Sequence, residues 1–241
     1  MLFVSPPFGN YIKLEKTVPI RGSFTLDPRP GLFMQILKTL RFSFEKNGWI
    51  NKIGLRNRGI DYAVDTYKKG EIISVALINQ SDAFWMATKI PEDMDIEINV
   101  SCPNVEKSKK INKTVYNLFH PSRKWCILKL SPTTEERDID YFYKKGFRQF
   151  HCSNTIMQKC NKCDYIFGGL SGPSVKPYSL DLIRYIKSKY KDTVVIGGGG
   201  IRSIKDVKEY KEAGADHYSV SSLCFNPIMF LKFYWDFTNQ F

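Results

Sequence analysis

The residues in this chain with the most chemical potential are a thiol and the amides around it. Cys102 lies between Asn99 and Asn104 in the run INVSCPN, and Pro103 fixes the turn behind it. Ile96, Ile98 and Val100 alternate with Glu97 and Asn99. That period of two marks a strand, so the thiol and its amides arrive where a strand stops. A thiolate becomes chemically useful when its surroundings favour it, and each amide offers both a donor and an acceptor. A lone cysteine is otherwise a small buried hydrophobe.

A second feature is the run Gly197 to Gly200, followed by IRSIKDV. Glycines at a helix start let backbone N–H groups approach an anion. The small pair Ser221 and Ser222 follows the next strand-like segment. Together they match the phosphate site that many barrels build from their last two βα loops, and a phosphate-bearing cofactor is expected there. Ser5, Lys129, Asn154 and Thr155 lie at or near the ends of other strand-like segments.

Eight such segments position these groups: 2–5, 18–25, 72–78, 95–101, 125–131, 147–153, 193–198 and 217–222. Helical patterns lie between several of them. One ends at Gly146, one runs to Tyr190 and one ends at Gly214, with Thr133 and Ser203 as expected N-caps. The closing segment PIMFLKFYWDF reads as a helix packed back on the barrel wall. Alternating βα units argue for a parallel sheet. Eight of them in 241 residues argue for one α/β domain over 1–241, a (β/α)₈ TIM barrel, whose chemistry gathers at the C-terminal strand ends.

Composition narrows the class further. Hydrophobic content of 43% and charged content of 25% suit a globular chain, and no apolar run reaches the ~18 residues of a membrane span. The N-terminal MLFVSPPFGNY has no basic leader or cleavage pattern, so a cytoplasmic location with reduced thiols is expected. The net charge of +12 comes from lysines scattered through helix faces and loops. It reads as solvated surface and not as a nucleic-acid footprint.

The ordered motifs SPPFGN, SFTLDPRPG (23–31), INKIGLRNRGID (50–61), INVSCPN (98–104), LKLSP (128–132), CSNT (152–155), GGLSGPSVKP (168–177) and IGGGGIRS (196–203) resemble the dihydroorotate dehydrogenases. The resemblance covers nearly the whole chain and is greatest to the soluble class with a cysteine base. It implies an FMN-containing barrel that oxidises dihydroorotate to orotate in pyrimidine biosynthesis. Cys102 would take the C5 proton while hydride leaves C6. Asn51, Gly54, Leu55, Asn99, Asn104, Asn154 and Thr155 match substrate positions. Ser5, Ser23, Asn99, Lys129, Ser153 and Gly172 match flavin positions, Lys129 stabilising charge on the reduced ring. Gly199, Gly200, Ser221 and Ser222 match phosphate contacts. The resemblance also implies a homodimer, with fumarate or an NAD-linked partner as electron acceptor.

The sequence departs from the family at the second strand, where a lysine that touches flavin and substrate is replaced by Gly22. Arg21 beside it is the candidate substitute; if Arg21 reaches the site, Arg21→Ala is expected to weaken orotate binding and Gly22→Lys to be neutral or helpful. Cys160 and Cys163 form a CxxC pair without the second pair a zinc site wants, so no metal is expected. Residues 105–117 read as a basic loop that closes over the site. Two rival readings are a tRNA dihydrouridine synthase-like flavoenzyme and a flavin barrel that has lost catalysis and serves as a binding module.

Overall fold

The structure, a computed structural model, describes residues 1–100, 114–159 and 167–241. The first half runs β1 (Leu2–Val4), β2 (Thr17–Phe24), α1 (Leu32–Thr39), β3 (Arg41–Ser43), β4 (Gly48–Asn51), α2 (Gly59–Asp65), β5 (Ile72–Ala76), α3 (Asp82–Lys89) and β6 (Ile96–Asn99). It continues with β7 (Cys126–Lys129), α4 (Glu136–Lys144), β8 (Gln149–Cys152), β9 (Ile156–Lys159), β10 (Phe167–Ser171), α5 (Lys176–Lys189), β11 (Val194–Gly198), α6 (Ile204–Glu212), β12 (His217–Val220) and α7 (Pro227–Gln240).

Eight strands close into a parallel barrel in the order β1-β12-β11-β8-β7-β6-β5-β2. Each corresponds to one of the eight segments read from the sequence; β2 (Thr17–Phe24) is shifted by one residue and the others are shorter than expected. Phe3, Ile20, Ile72, Trp125, Ile127 and Ile196 pack together as one buried cluster, with the Phe3 and Trp125 rings edge to face at 5.3 Å. Each such side chain contributes roughly 1.5–3 kcal/mol on burial. A larger apolar layer joins the strands to the helices around them.

Local sequence explains the helix ends. Ser203 caps α6 in a reciprocal box with Asp206, which satisfies N–H groups the helix cannot. Gly146 and Gly214 follow α4 and α6 as expected. Thr133 is not the cap of α4: Glu135 holds that place, while Thr133 bonds Ser131 in the preceding turn. In α7, Phe230, Phe233 and Phe237 are buried, but Ile228, Leu231 and Trp235 face outward. Packing on the wall therefore holds for one face of that helix.

The sequence reading missed a second sheet. β3, β4, β10 and β9 form an antiparallel four-stranded layer over a small core of Ile50, Ile156, Leu170 and Val175. It ties the loop after β2 to the loop after β8, because Asn51 pairs with Gly169 and Trp49 with Ser171.

The strand pleat decides the Arg21 question. Ile20 pairs with Ile72 and Gly22 with Ser74. Ile20 and Ile72 belong to the barrel's inner cluster, and side chains along a strand alternate in facing. Arg21 therefore points outward, where its guanidinium bonds Glu71 and Thr66. Lys13 also pairs with Glu71. Arg21 does not replace the family lysine. The inward position is Gly22, at φ +115°, where a Cβ would lie 2.5 Å from the Ser74 carbonyl oxygen. A side chain there needs backbone to move, so the expected tolerance of Gly22→Lys is withdrawn.

Two outcomes follow from this geometry. Arg21→Ala should cost about 3 kcal/mol, the scale for stripping one partner from a buried pair, while orotate affinity stays unchanged in the folded protein. Gly22→Lys should lower the unfolding free energy as well. Denaturant titration and ligand binding on the two variants check both; loss of orotate affinity in stable Arg21→Ala protein contradicts the outward placement.

Candidate active site

The polar groups at the top of the barrel are organised from below by a carboxylate. Glu97 lies two residues before Asn99 on β6, so the pleat turns both to one side. Its side chain is fully enclosed, and three groups surround it. Ser74 Oγ donates to Oε1 at 2.9 Å. His151 Nδ1 stands 2.6 Å from Oε2, and Lys129 Nζ lies 3.5 Å from Oε1. Burial alone pushes the pKa up, but the nearby Lys129 charge and the hydrogen bonds from His151 and Ser74 overcome it. Glu97 is thus held well below the usual carboxylate range.

An ionised carboxylate only accepts hydrogen bonds, and that fixes the sense of a chain above it. Ser74 donates to Glu97, so it accepts from Ser23 at 2.9 Å. Ser23 in turn accepts from Asn99 Nδ2 at 3.0 Å. Asn99 Oδ1 accepts from Asn154 Nδ2 at 3.0 Å, and Asn154 Oδ1 accepts from the Thr155 N–H at 2.8 Å. Two amides, one on β6 and one just after β8, are thereby oriented by a buried charge.

A cavity opens beside this chain, at the C-terminal ends of β1, β7, β8, β11 and β12. Lys129, His151, Asn154 and Thr155 line one part, and Ser5, Ser153 and Ser219 are among its hydroxyl groups. Gly172, Gly199, Gly200, Ser221 and Ser222 also line it. Ser5 bonds Ser219 at 2.7 Å, and Ser153 bonds Ser179 at 2.7 Å. Gly200 has φ +75°, and a Cβ there would come within 2.7 Å of the Pro173 Cα and 2.8 Å of the Gly172 carbonyl oxygen. Glycine is the residue that keeps this backbone cradle open. The donor set suits an elongated molecule with an anionic group at the glycine end and an electron-rich group near Lys129.

Eight expected cofactor residues thus share one cavity: Ser5, Lys129, Ser153, Gly172, Gly199, Gly200, Ser221 and Ser222. Ser23 and Asn99 connect to it through Asn154. Asn51 ends β4 and donates to the Gly169 carbonyl at 3.4 Å. Gly54 and Leu55 form the following turn with positive φ, and Arg29 anchors it by donating to the Gly54 carbonyl. Asn51, Gly54 and Leu55 do not line the cavity. Cys102, Asn104, Cys160 and Cys163 lie outside the described residues, as does most of the basic loop. Its last residues run into a helical turn at Val115–Leu118, where Val115 and Leu118 are buried.

Sequence reasoning missed Glu97, Ser74, His151 and Ser219. For Glu97 the signal was present, since a charged residue shared the alternating face with Asn99. Among the described residues, no group of three or more His, Cys, Asp or Glu side chains could hold a metal, and no helix is long and apolar enough to cross a membrane.

The chain was compared with known families, sequences and structures. A family model described as dihydroorotate dehydrogenase matches residues 10–232. The catalytic subunit of dihydroorotate dehydrogenase B (NAD(+)) from Thermotoga maritima is 28% identical over 258 aligned positions, covering 93% of this chain and 93% of that protein. The protein of the same name from Thermoanaerobacter sp. (strain X514) is 32% identical, with 91% of this chain and 80% of its own length covered. The fold is shared with ligand-free DHODH from Eimeria tenella, at a TM-score of 0.74 and 17% identity over 95% of this chain and 80% of that one. The closed parallel barrel, the ordered motifs at its strand ends and a match over residues 10–232 place this chain in the dihydroorotate dehydrogenase family, a family of oxidoreductases.

Proposed function

We propose that this chain oxidises dihydroorotate to orotate in pyrimidine biosynthesis, with FMN as its cofactor. The observation that carries the reading is the oriented pair Asn99–Asn154, set beside a cavity that has Lys129 on one side and a glycine–serine cradle on the other. The donor set fits FMN. Gly199, Gly200, Ser221 and Ser222 would hold the phosphate, Ser5 and Ser153 would face the ribityl hydroxyls, and Lys129 would sit by the pyrimidine half of the ring. When bound, FMN supplies an acceptor for the hydride from C6.

The chain's own residues do the rest. Asn99 and Asn154, with Asn51 and Asn104, hold the planar ring by paired donors and acceptors. Thr155 lies beside them, and Gly54 and Leu55 shape the loop over the substrate. Cys102 is assigned as the base that takes the C5 proton, so that loss of H⁺ from C5 and H⁻ from C6 leaves the C5–C6 double bond. The names of the relatives favour an NAD-linked partner subunit over fumarate as electron acceptor. The family match disfavours the tRNA-modifying reading. The absence of the lysine at Gly22 keeps the binding-module reading testable.

Purified protein should be yellow, with one FMN per chain released on heating. Gly200→Val should abolish this uptake, because the Cβ closes the cradle. Colourless wild-type protein that refuses added FMN contradicts the cofactor assignment. Dihydroorotate with a dye acceptor should give turnover. Cys102→Ala should slow flavin bleaching by roughly 10²–10⁴-fold, the usual worth of a positioned base, while orotate still binds. Wild-type bleaching rates in that variant would remove Cys102 from its role; bound flavin with no turnover would support the binding module.

A further inference from the structure

Glu97 meets its partners at unequal range. His151 Nδ1 is at 2.6 Å, Ser74 Oγ at 2.9 Å and Lys129 Nζ at 3.5 Å. A carboxylate that closes on an ammonium reaches about 2.7–2.9 Å. Here the ammonium stands off. The oxygen it faces, Oε1, already accepts from Ser74, and the other oxygen, Oε2, is taken by His151.

His151 is built to hold that oxygen. Its ring is buried, and burial, with the Lys129 charge nearby, lowers its pKa against the opposite pull of Glu97. The neutral ring donates from Nδ1, which leaves Nε2 as a lone pair. The charged groups that face it are Glu97 from β6 and Lys129 from β7. β5 contributes the uncharged Ser74 to the same cluster. β11 presents Gly198, where a Cβ would lie only 3.1 Å from Nε2. Lys129 and His151 pair in register on β7 and β8, and both line the cavity.

We propose that His151 is a positioning residue for the redox chemistry of this site: by holding Glu97 at 2.6 Å it keeps that carboxylate 3.5 Å from Lys129, and so sets the field that the ammonium presents to the pyrimidine half of the bound flavin. The role rests on the flavin reading above. An ammonium in close contact with its counter-charge presents a weaker field to a third group than one held apart from it. The imidazole therefore sets how strongly Lys129 stabilises negative charge on the ring, without touching the reacting atoms.

Sulfite affinity reads that field without turnover, because its addition to bound flavin leaves negative charge on the pyrimidine half. In FMN-loaded protein, His151→Leu should free Glu97 to close on Lys129 and weaken sulfite binding about three- to tenfold. His151→Asn, whose amide can replace the Nδ1 donor, should stay near wild type. Glu97→Gln removes the counter-charge and should shift affinity the opposite way by a similar factor. In a Lys129→Met background the His151→Leu effect should vanish. Unchanged sulfite affinity in His151→Leu, or an effect that survives Lys129→Met, overturns the proposal. Nitrogen NMR of the flavin-free wild type is an arm that needs neither FMN nor a folded variant. It should show His151 protonated at Nδ1 alone at neutral pH; an Nε2–H or doubly protonated ring overturns the proposal by itself. Failure to take up FMN tells against the flavin reading instead.

Discussion

A carboxylate sealed inside a barrel has to be paid for by donors, and here that requirement organises the site. Burying Glu97 as an anion is costly unless charge and hydrogen bonds compensate it. Ser74, His151 and Lys129 supply them from three neighbouring positions on β5, β8 and β7. Because Glu97 accepts only, every hydroxyl and amide linked above it has one allowed sense. Asn99 and Asn154 are thereby presented in fixed orientation at the top of the barrel. Removing the charge would leave each of those groups free to turn. A planar heterocycle distinguished by its donors and acceptors would then meet amides with no preferred face.

The barrel makes this arrangement possible by separating levels. The apolar cluster of Phe3, Ile20, Ile72, Trp125, Ile127 and Ile196 excludes water. The polar layer of Ser74, Glu97, Lys129 and His151 lies on the adjacent strands β5, β6, β7 and β8. Parallel register holds Asn99, Lys129 and His151 at one height, so groups far apart in sequence converge without long loops. The small antiparallel sheet adds a wall from the loops after β2 and β8. Arg202 fastens that wall to the phosphate-cradle side by donating to the Asn47 carbonyl.

Much of this was legible because it is local. Strand-like segments recurring between helical patterns marked all eight barrel strands, Ser203 announced its helix through Asp206, and the glycine run announced a close backbone approach. Thr133 misled because several hydroxyl residues compete before α4 and only the chain's path chooses among them. The second sheet was illegible because its strands are three to five residues long and its two halves, far apart in sequence, meet where Asn51 pairs with Gly169 and Trp49 with Ser171. Such pairing leaves no period to read. Arg21 was uncertain until the register of β2 was known, since the strand pleat alone does not say which residue faces in. His151 was missed because its partner, Glu97, lies 54 residues away. Cofactor positions at the end of β7 and just after β1, β8, β10, β11 and β12 met in one cavity. Asn51, Gly54 and Leu55 stand on the outer sheet and its turn, where register and not spacing decides their reach.

The charge state of Glu97 is the most direct test of this account. Carbon NMR of the Glu97 carboxyl in the flavin-free protein, followed as pH falls from neutrality, reports it without cofactor or substrate. The signal should stay at the ionised position as pH passes through 4.5, the ordinary value for a glutamate, for as long as the protein remains folded. A Glu97 carboxyl that takes up its proton at or above 4.5 would contradict the claim that a buried anion orders the hydrogen bonds above it.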